Sequence, residues 1–245
     1  MARDHGGNLD AAVARFGPGE WIDLSTGINR RPWPVPVLPD HAWHALPTAA
    51  DEARLIDVAA AWLRCRADRV LPMAGASAAI QILPRVIAPG RTAVLTPSYN
   101  EHAASLRAAG WQVSAAPEIA AMEGADLAVV VNPNNPDGRE WSPARLAALA
   151  GRVGTLVVDE SFADPRPDLS LIPELPDNAV VLRSFGKFWG LAGLRLGFAV
   201  ARPDLLAALR EAAGPWAVAG PALATGAAAM ADAAWADAAV TYHAE

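Results

Sequence analysis

Cysteine is almost absent from this chain, and the features that mark secreted and membrane proteins are absent as well. Cys65 is the single cysteine among 245 residues, which excludes an internal disulfide framework and is typical of a reducing cytoplasm. No run approaches the roughly 18 apolar residues that a membrane span requires. The N-terminus carries Asp4 and no apolar signal core. We therefore expect a cytoplasmic protein without a membrane partner.

Positive charge is also sparse. The 26 Asp and Glu residues outnumber the 20 Lys and Arg residues, and no basic block occurs, which argues against a nucleic acid as partner. We predict no metal site. The content of 53% hydrophobic and 19% charged residues indicates a globular protein with an ample core.

Residues 1–47 are irregular and form the first predicted unit, an N-terminal arm. The motif HGGN at residues 5–8 precedes WIDLSTGIN at residues 21–29, and five prolines between residues 32 and 47 preclude a continuous helix or central strand. A flexible leader is one interpretation. Three side chains favour an ordered arm in which they are buried, namely Trp21, Ile22 and Leu24.

From Asp51 onwards, helical and strand patterns alternate. A first amphipathic helix ends before Ala67. Strands are predicted over residues 70–73, 92–96, 112–115, 127–131, 155–159, 180–182 and 196–200. Helices are predicted over residues 74–87, 100–109, 143–150 and 203–213, with one alanine-rich helix from Pro221. The alternation predicts an α/β fold of three layers, in which helices cover both faces of a mainly parallel sheet.

Residues 180–200, VVLRSFGKFWGLAGLRLGFAV, organise the rest of the chain. An apolar strand breaks at a glycine-rich segment that carries Lys187, and Arg195 follows eight residues later. Lysine is rarely buried without a partner or a function, and a desolvated amine has a lowered pKa that allows it to form a Schiff base with a carbonyl. Ser184 and Arg195 would supply a hydroxyl and a cation to a nearby phosphate. A surface loop with a solvated lysine is the alternative.

Five candidate positions lie at the carboxyl ends of predicted strands, where parallel sheets bind their ligands. These positions are Gly75, Tyr99, Asn135, Asp159 and Lys187. Together they would suit a ring cofactor with an aldehyde, a pyridine nitrogen, a phenol oxygen and a phosphate. Lys187 would take the aldehyde, and Asp159 would keep the ring nitrogen protonated. Asn135 could donate to the phenolate oxygen, and Tyr99 could stack on the ring.

The phosphate of such a cofactor would lie at the turn before the second helix, where backbone N–H groups converge. Its predicted ligands are Gly75, Ala76, Ser77, Ser184 and Arg195. Each role has a plainer alternative: Asp159 could cap a turn, Tyr99 could be a core aromatic, Asn135 could form a turn, and Arg195 could be a surface ion-pair partner.

Three blocks carry a family resemblance: NPNNPDG at residues 132–138, VVDESF at 157–162 and SFGKFWGLAGLRLGF at 184–198. They resemble the signature blocks of fold type I pyridoxal-phosphate enzymes of the aspartate-aminotransferase type. Within that group the chain is most similar to the threonine-phosphate decarboxylases of cobalamin biosynthesis, which are related to histidinol-phosphate aminotransferase. HGGN, DLSTGIN, PSYNEH and GPWAV favour this subfamily, and the resemblance extends to about Asp237.

The resemblance implies pyridoxal 5'-phosphate as cofactor, with Lys187 and Asp159 as the catalytic residues. It implies the same cofactor ligands as above, and it implies substrate contacts by His5, Gly6, Gly27 and Asn135. Phe162 stands where aminotransferases usually have a tyrosine, which favours decarboxylation. Leu46 and Gly27 also depart from the family pattern, since many relatives have a tyrosine near the first and some decarboxylases an asparagine at the second.

By the same resemblance, residues 48–235 form the cofactor-binding large domain, and residues 236–245 begin a small C-terminal domain that is largely absent from this sequence. The implied function is decarboxylation of L-threonine O-3-phosphate to 1-aminopropan-2-ol phosphate by a homodimer. An aminotransferase of the histidinol-phosphate type and an inactive cofactor-binding remnant are the alternatives. Substrate orientation, rather than the residues at the ring, decides between decarboxylation and transamination.

Overall fold

Alternating helices and strands make up most of the chain, and the computed structural model describes residues 6–244. The helices are α1 (Leu9–Phe16), α2 (His41–His44), α3 (Ala49–Leu63), α4 (Ala76–Val86), α5 (Asn100–Ala108), α6 (Pro143–Ala150), α7 (Pro203–Ala213), α8 (Gly220–Met230) and α9 (Ala233–Ala244). The strands are β1 (Val70–Met73), β2 (Arg91–Leu95), β3 (Gln112–Ala116), β4 (Leu127–Val131), β5 (Thr155–Asp159), β6 (Ala179–Ser184) and β7 (Gly197–Val200).

The seven strands form one sheet in the order β1-β7-β6-β5-β4-β2-β3. Strands β6, β5, β4, β2 and β3 are parallel to one another, whereas β7 is antiparallel to both β6 and β1. The loop of residues 185–196 joins β6 to β7 without a crossover helix, so β7 starts at the edge where β6 ends and must run back. The predicted mainly parallel sheet is therefore confirmed, with β7 as its antiparallel member.

Two apolar clusters cover the two faces of the sheet. Val130 and Val158 pack on one face, beneath α3, α6 and α8, and Val129 and Val157 pack on the other, beneath α4, α5 and α7. Because both faces are buried, the central strands have continuous apolar runs rather than alternating ones. The three-layer α/β/α architecture is confirmed.

The expectation that the arm buries its apolar segment is wrong for the residues on which it was based. Trp21, Ile22 and Leu24 are 39%, 77% and 83% exposed. The arm is instead anchored further along at Trp33, whose ring is buried and whose Nε1 donates to Asp232 at 3.1 Å. The apolar character of a short irregular segment does not show which part of it has a surface to pack on.

The alanine-rich C-terminal segment was also predicted incorrectly as one helix. It forms α8 and α9, which are separated at Ala231 and Asp232. The Asp232 carboxylate accepts the backbone N–H of Trp235 at 3.0 Å, and such a side-chain acceptor begins a new helix. The predicted domain divisions at residues 47 and 235 stay predictions. Within residues 6–244, no helix is both long and apolar enough to cross a membrane.

Candidate active site

The carboxyl ends of β4, β5 and β6 meet the N-termini of α4 and α5 at one cleft. The predicted cofactor ligands line it together: Ala76, Ser77, Tyr99, Asn135, Asp159, Ser184, Lys187 and Arg195. Gly75 belongs to the same wall, because an ideal Cβ at this position would lie 2.6 Å from Nη2 of Arg195. The structure thus brings these sequence-predicted positions to one place.

The N-terminus of α4 and Arg195 form a cup that suits an anion. Gly75 has a φ of +83° and caps the helix without a side-chain hydrogen bond, so the first N–H groups of α4 face outward. Among the residues that the structure describes, Arg195 forms no ion pair, and its Nη1 donates only to the Ala192 carbonyl at 3.1 Å. An unpaired guanidinium beside free helix N–H groups fits a phosphate.

Asp159 is a buried carboxylate at the end of β5. Its Oδ2 lies 2.8 Å from His102 Nε2, and its Oδ1 accepts the Ser161 N–H at 3.0 Å and the Ser161 hydroxyl at 2.5 Å. Burial disfavours the charged form, but the hydrogen bonds from His102 and Ser161 prevail, so the pKa of Asp159 lies below its ordinary value. The turn-capping alternative holds for Oδ1, yet the group remains an ionised carboxylate that lines the cleft.

His102 contacts the buried carboxylate of the site, and the sequence interpretation missed it. It lies on α5, buried, three residues after Tyr99, and the two rings meet edge to face with centroids 6.1 Å apart. Residues three apart share a helix face. The motif PSYNEH therefore carried a usable signal, because a histidine one turn beyond a cleft residue points in the same direction.

Lys187 enters the cleft half-buried. Its Nζ lies 5.4 Å from the centre of the Phe162 ring and, within the described part of the chain, makes no hydrogen bond or ion pair. Burial lowers the pKa of Lys187, Arg195 lowers it further, and Asp159 opposes both. The solvated-loop alternative does not describe this amine. Lys187 is also the only lysine in the chain, which the sequence itself could have revealed.

The loop after β4 exposes one of its three asparagines to the cleft. The Asn132 side chain joins the two ends of the loop. Its Oδ1 accepts the Trp141 N–H at 3.0 Å, and its Nδ2 donates to the Trp141 carbonyl at 2.9 Å. Asn134 Nδ2 donates to the Pro97 carbonyl at 3.0 Å. Asn135 faces outward into the cleft. The loop is thus held by two asparagines so that the third is available to a ligand.

The predicted substrate residues lie around a more open cleft that continues from the first. Gly6, Gly27 and Asn135 line it together with Tyr99 and Lys187. His5 lies outside the described residues. An ideal Cβ at Gly27 would be 2.8 Å from the Phe162 ring, so the small residue at 27 matches the aromatic residue at 162.

A buried ionic cluster supports the segment after Asp159, and the sequence analysis did not predict it. Arg183 on β6 pairs with Glu160 at 2.9 Å and with Asp164, and the Trp62 Nε1 donates to Asp164 at 3.0 Å. Burial raises the pKa of Glu160, while Arg183 opposes that shift. The cluster therefore fixes the segment that directly follows Asp159 at the end of β5.

Comparisons with known proteins agree with this geometry. The family model for aminotransferase class I and II matches residues 23–244. Threonine-phosphate decarboxylase from Sinorhizobium sp is 46% identical over 231 residues, which cover 89% of this chain and 69% of the relative. The Pseudomonas aeruginosa threonine-phosphate decarboxylase is 47% identical over 229 residues, covering 89% and 68%. A histidinol-phosphate aminotransferase from Mycobacterium bovis is 36% identical over 233 residues, covering 88% and 61%.

Solved structures give the same fold. The L-threonine-O-3-phosphate decarboxylase of Porphyromonas gingivalis superposes with a TM-score of 0.69 at 23% identity, covering 78% of this chain and 65% of that one. The histidinol-phosphate aminotransferase of Sinorhizobium meliloti, in complex with pyridoxal-5'-phosphate, has a TM-score of 0.70 at 21% identity, covering 82% and 61%. The chain spans about two thirds of the length of these relatives. The resemblance based on the three sequence blocks is confirmed.

Proposed function

The chain belongs to the aminotransferase class I and II family, and on that premise we propose that it decarboxylates L-threonine O-3-phosphate to 1-aminopropan-2-ol phosphate with pyridoxal 5'-phosphate as cofactor. The reaction would serve cobalamin biosynthesis in the cytoplasm. One observation carries the proposal: the chain's only lysine is half-buried in a cleft shared with a buried, ionised aspartate and an anion cup. The two decarboxylase relatives at 46% and 47% identity support the substrate assignment.

The residues of the cleft fit pyridoxal phosphate by their chemistry. Lys187 would hold the aldehyde carbon, Asp159 the ring nitrogen, Asn135 the ring oxygen and Tyr99 a ring face. The cup of Gly75, Ala76, Ser77, Ser184 and Arg195 would hold the phosphate. The unpaired Arg195 and the uncapped N-terminus of α4 favour such an anion. When bound, the cofactor supplies a protonated ring that withdraws electrons from the substrate Cα.

The protein contributes charge control and proton transfer. His102 and Ser161 keep Asp159 ionised, which holds a proton on a nitrogen placed against it. The lowered pKa of Lys187 increases the share of neutral amine, which is the form that reacts with a carbonyl and accepts a proton. When CO₂ leaves, a proton has to take its place on the substrate Cα, and Lys187, after it takes up a proton from solvent, would donate that proton.

The Phe162 ring supports decarboxylation over transamination. It lies beside the Lys187 amine and offers no hydroxyl group to the cofactor oxygen. Gly27 packs against the same ring, so this wall would contact a substrate through apolar surface. Transamination of the histidinol-phosphate type is the second candidate, favoured by the relative at 36% identity. Gly6 and His5 of the arm are proposed to contact the substrate phosphate.

A second copy of the chain is the proposed partner. All but Trp216 of the large, exposed apolar side chains within residues 6–244 lie in the arm, where Val37 and Leu46 are 100% and 64% exposed. Exposed apolar surface of this extent supports association. Sedimentation of the purified chain should give a dimer mass, and a monomer at micromolar concentration would contradict this part of the proposal.

The function is tested by adding pyridoxal phosphate to the purified chain and then threonine phosphate. We expect a visible absorbance band and release of CO₂ without added keto acid. Turnover that depends on a keto acid would instead support the aminotransferase. A band without turnover of either kind would indicate a cofactor-binding protein that lacks the activity.

A further inference from the structure

The N-terminal arm holds three consecutive carbonyl groups that begin at Lys187. The Asn29 backbone N–H donates to the Lys187 carbonyl at 3.0 Å, and the Asn29 Nδ2 donates to the Phe188 carbonyl at 2.9 Å. The Trp33 N–H donates to the Trp189 carbonyl at 2.9 Å. Asn29 therefore binds the carbonyl group of Lys187 with its backbone and that of the next residue with its side-chain amide.

The Asn29 side chain is buried in the contact between the arm and the lysine segment. It is 6% exposed, and its Oδ1 accepts the Arg31 N–H at 2.9 Å, so both ends of the side-chain amide are used. The two segments also touch at Gly190, where φ is +71° and an ideal Cβ would lie 2.6 Å from the Cα of Pro32. The arm and the lysine segment are too close for one to shift without the other.

The Lys187 side chain lacks comparable support of its own. In the described part of the chain no hydrogen bond or ion pair holds its Nζ, and its four-carbon stem is flexible. The place of the amine therefore depends on the backbone from which the stem starts. A displacement of that backbone moves the amine relative to Asp159 and Arg195, the two charges that act on it.

We propose that Asn29 is a positioning residue for Lys187: Asn29 holds the backbone from which the lysine side chain reaches the cofactor. This rests on the proposed function, in which Lys187 carries the cofactor. Asn29 would act on Lys187 through its hydrogen bonds to the Lys187 and Phe188 carbonyls. Burial is the main reason that the pKa of Lys187 is lowered. A looser backbone exposes the amine to water, so its pKa should return toward the ordinary value.

The experiment uses the fact that Lys187 is the only lysine. The full chain, without cofactor, is acetylated with acetic anhydride over a pH series, and modification of Lys187 is quantified by mass spectrometry. Asn29→Ala is compared with wild type and with Asn178→Ala. Asn178 is the matched control, because its Nδ2 donates to the Ala150 and Val153 carbonyls at 2.8 and 3.1 Å, near the opposite ends of the strands.

We expect the midpoint of Lys187 acetylation to rise by about one pH unit in Asn29→Ala, a tenfold loss of neutral amine at a given pH. Asn178→Ala should keep the wild-type midpoint while it loses a similar amount of thermal stability. An unchanged midpoint in Asn29→Ala, or an equal shift in both variants, would overturn the proposal. Asn29→Ser is judged by the same criterion if the alanine variant does not fold.

Failure of the proposed function would be seen separately. Wild-type chain with pyridoxal phosphate is treated with borohydride and analysed for a pyridoxyl group on Lys187. If none is found, Lys187 does not carry the cofactor. The acetylation midpoints, measured without cofactor, still decide whether Asn29 positions the amine.

Discussion

Two neighbouring parallel strands end at the site in opposite electrostatic conditions. After β5, the buried carboxylates have partners: Asp159 is hydrogen-bonded to His102, and both Glu160 and Asp164 pair with Arg183. After β6, Lys187 and Arg195 have no ionic partner among residues 6–244. A paired buried charge gains little from a ligand, whereas an unpaired cation gains much. The cluster of Glu160, Asp164 and Arg183 is therefore a fixed scaffold behind Asp159, and the cations after β6 are the groups that a bound anion would complete.

The largest loss of activity should come from substitution of Lys187, which lies after β6 and has no ionic partner among residues 6–244. Lys187→Ala should lower turnover by more than about 10⁴-fold, which is the upper limit of proton transfer alone, because covalent attachment is lost as well. Lys187→Arg keeps the charge and should be equally inactive, since a guanidinium does not deprotonate. CO₂ release and borohydride-fixed cofactor measure the loss. A cofactor still fixed to the Lys187→Ala chain would rule out this residue.

Substitution of Arg183, which pairs with the buried carboxylates after β5, should instead lower the free energy of unfolding. Arg183→Met leaves Glu160 and Asp164 buried without a cation, which should lower the free energy of unfolding by about 3–5 kcal/mol. Arg166→Met removes an exposed arginine that pairs with Asp168 and Glu140, and it should cost much less. Urea unfolding measures both. Equal losses in the two variants would show that the buried cluster is not the scaffold.

A smaller loss of kcat/KM should follow when Asp159 is retained but loses its hydrogen bond to His102. His102→Phe removes a hydrogen bond to a buried charge, worth about 1.5–3 kcal/mol, so kcat/KM should fall by about ten- to a hundredfold. His102 lowers the pKa of Asp159. Without it that pKa rises, and activity should be lost at a higher pH as the solution is acidified. An unshifted acidic limb of the pH profile would contradict the role of His102.

The smallest expected effect is on the free energy of unfolding. It comes from keeping the half-buried Lys187 amine protonated in the folded state. The pKa of Lys187 is below its ordinary value of 10.5 in the folded state, so keeping the amine protonated costs stability at any pH below the folded pKa. This cost disappears as the pH rises through the folded pKa to the unfolded one. Lys187→Met should therefore be more stable than wild type near neutrality, and the difference should vanish at alkaline pH. Urea unfolding at both pH values tests this, and a pH-independent difference would contradict it.

The sequence was sufficient for most of the local structure, although not for the break between α8 and α9, and for the order of the predicted site residues. The bounds of β4, β5, α6 and α7 were predicted without error, because apolar runs, a serine cap and a proline at the first turn act within a few residues. The positions at strand ends followed from the rule that parallel strands share one edge. Lys187 and Asp159 could be named on that basis.

Only the tertiary structure decided which residues support these groups and which apolar side chains stay exposed. His102 and Asp159 are 57 residues apart in the chain, and Asn29 and Phe188 are 159 apart. Such contacts depend on the strand order of the sheet and on the path of the arm, and neither leaves a periodic signal in a single sequence. The sequence by itself determined most of the strands and helices and the candidate residues at the strand ends, whereas the packing of distant segments determined the pairing, burial and pKa of those residues.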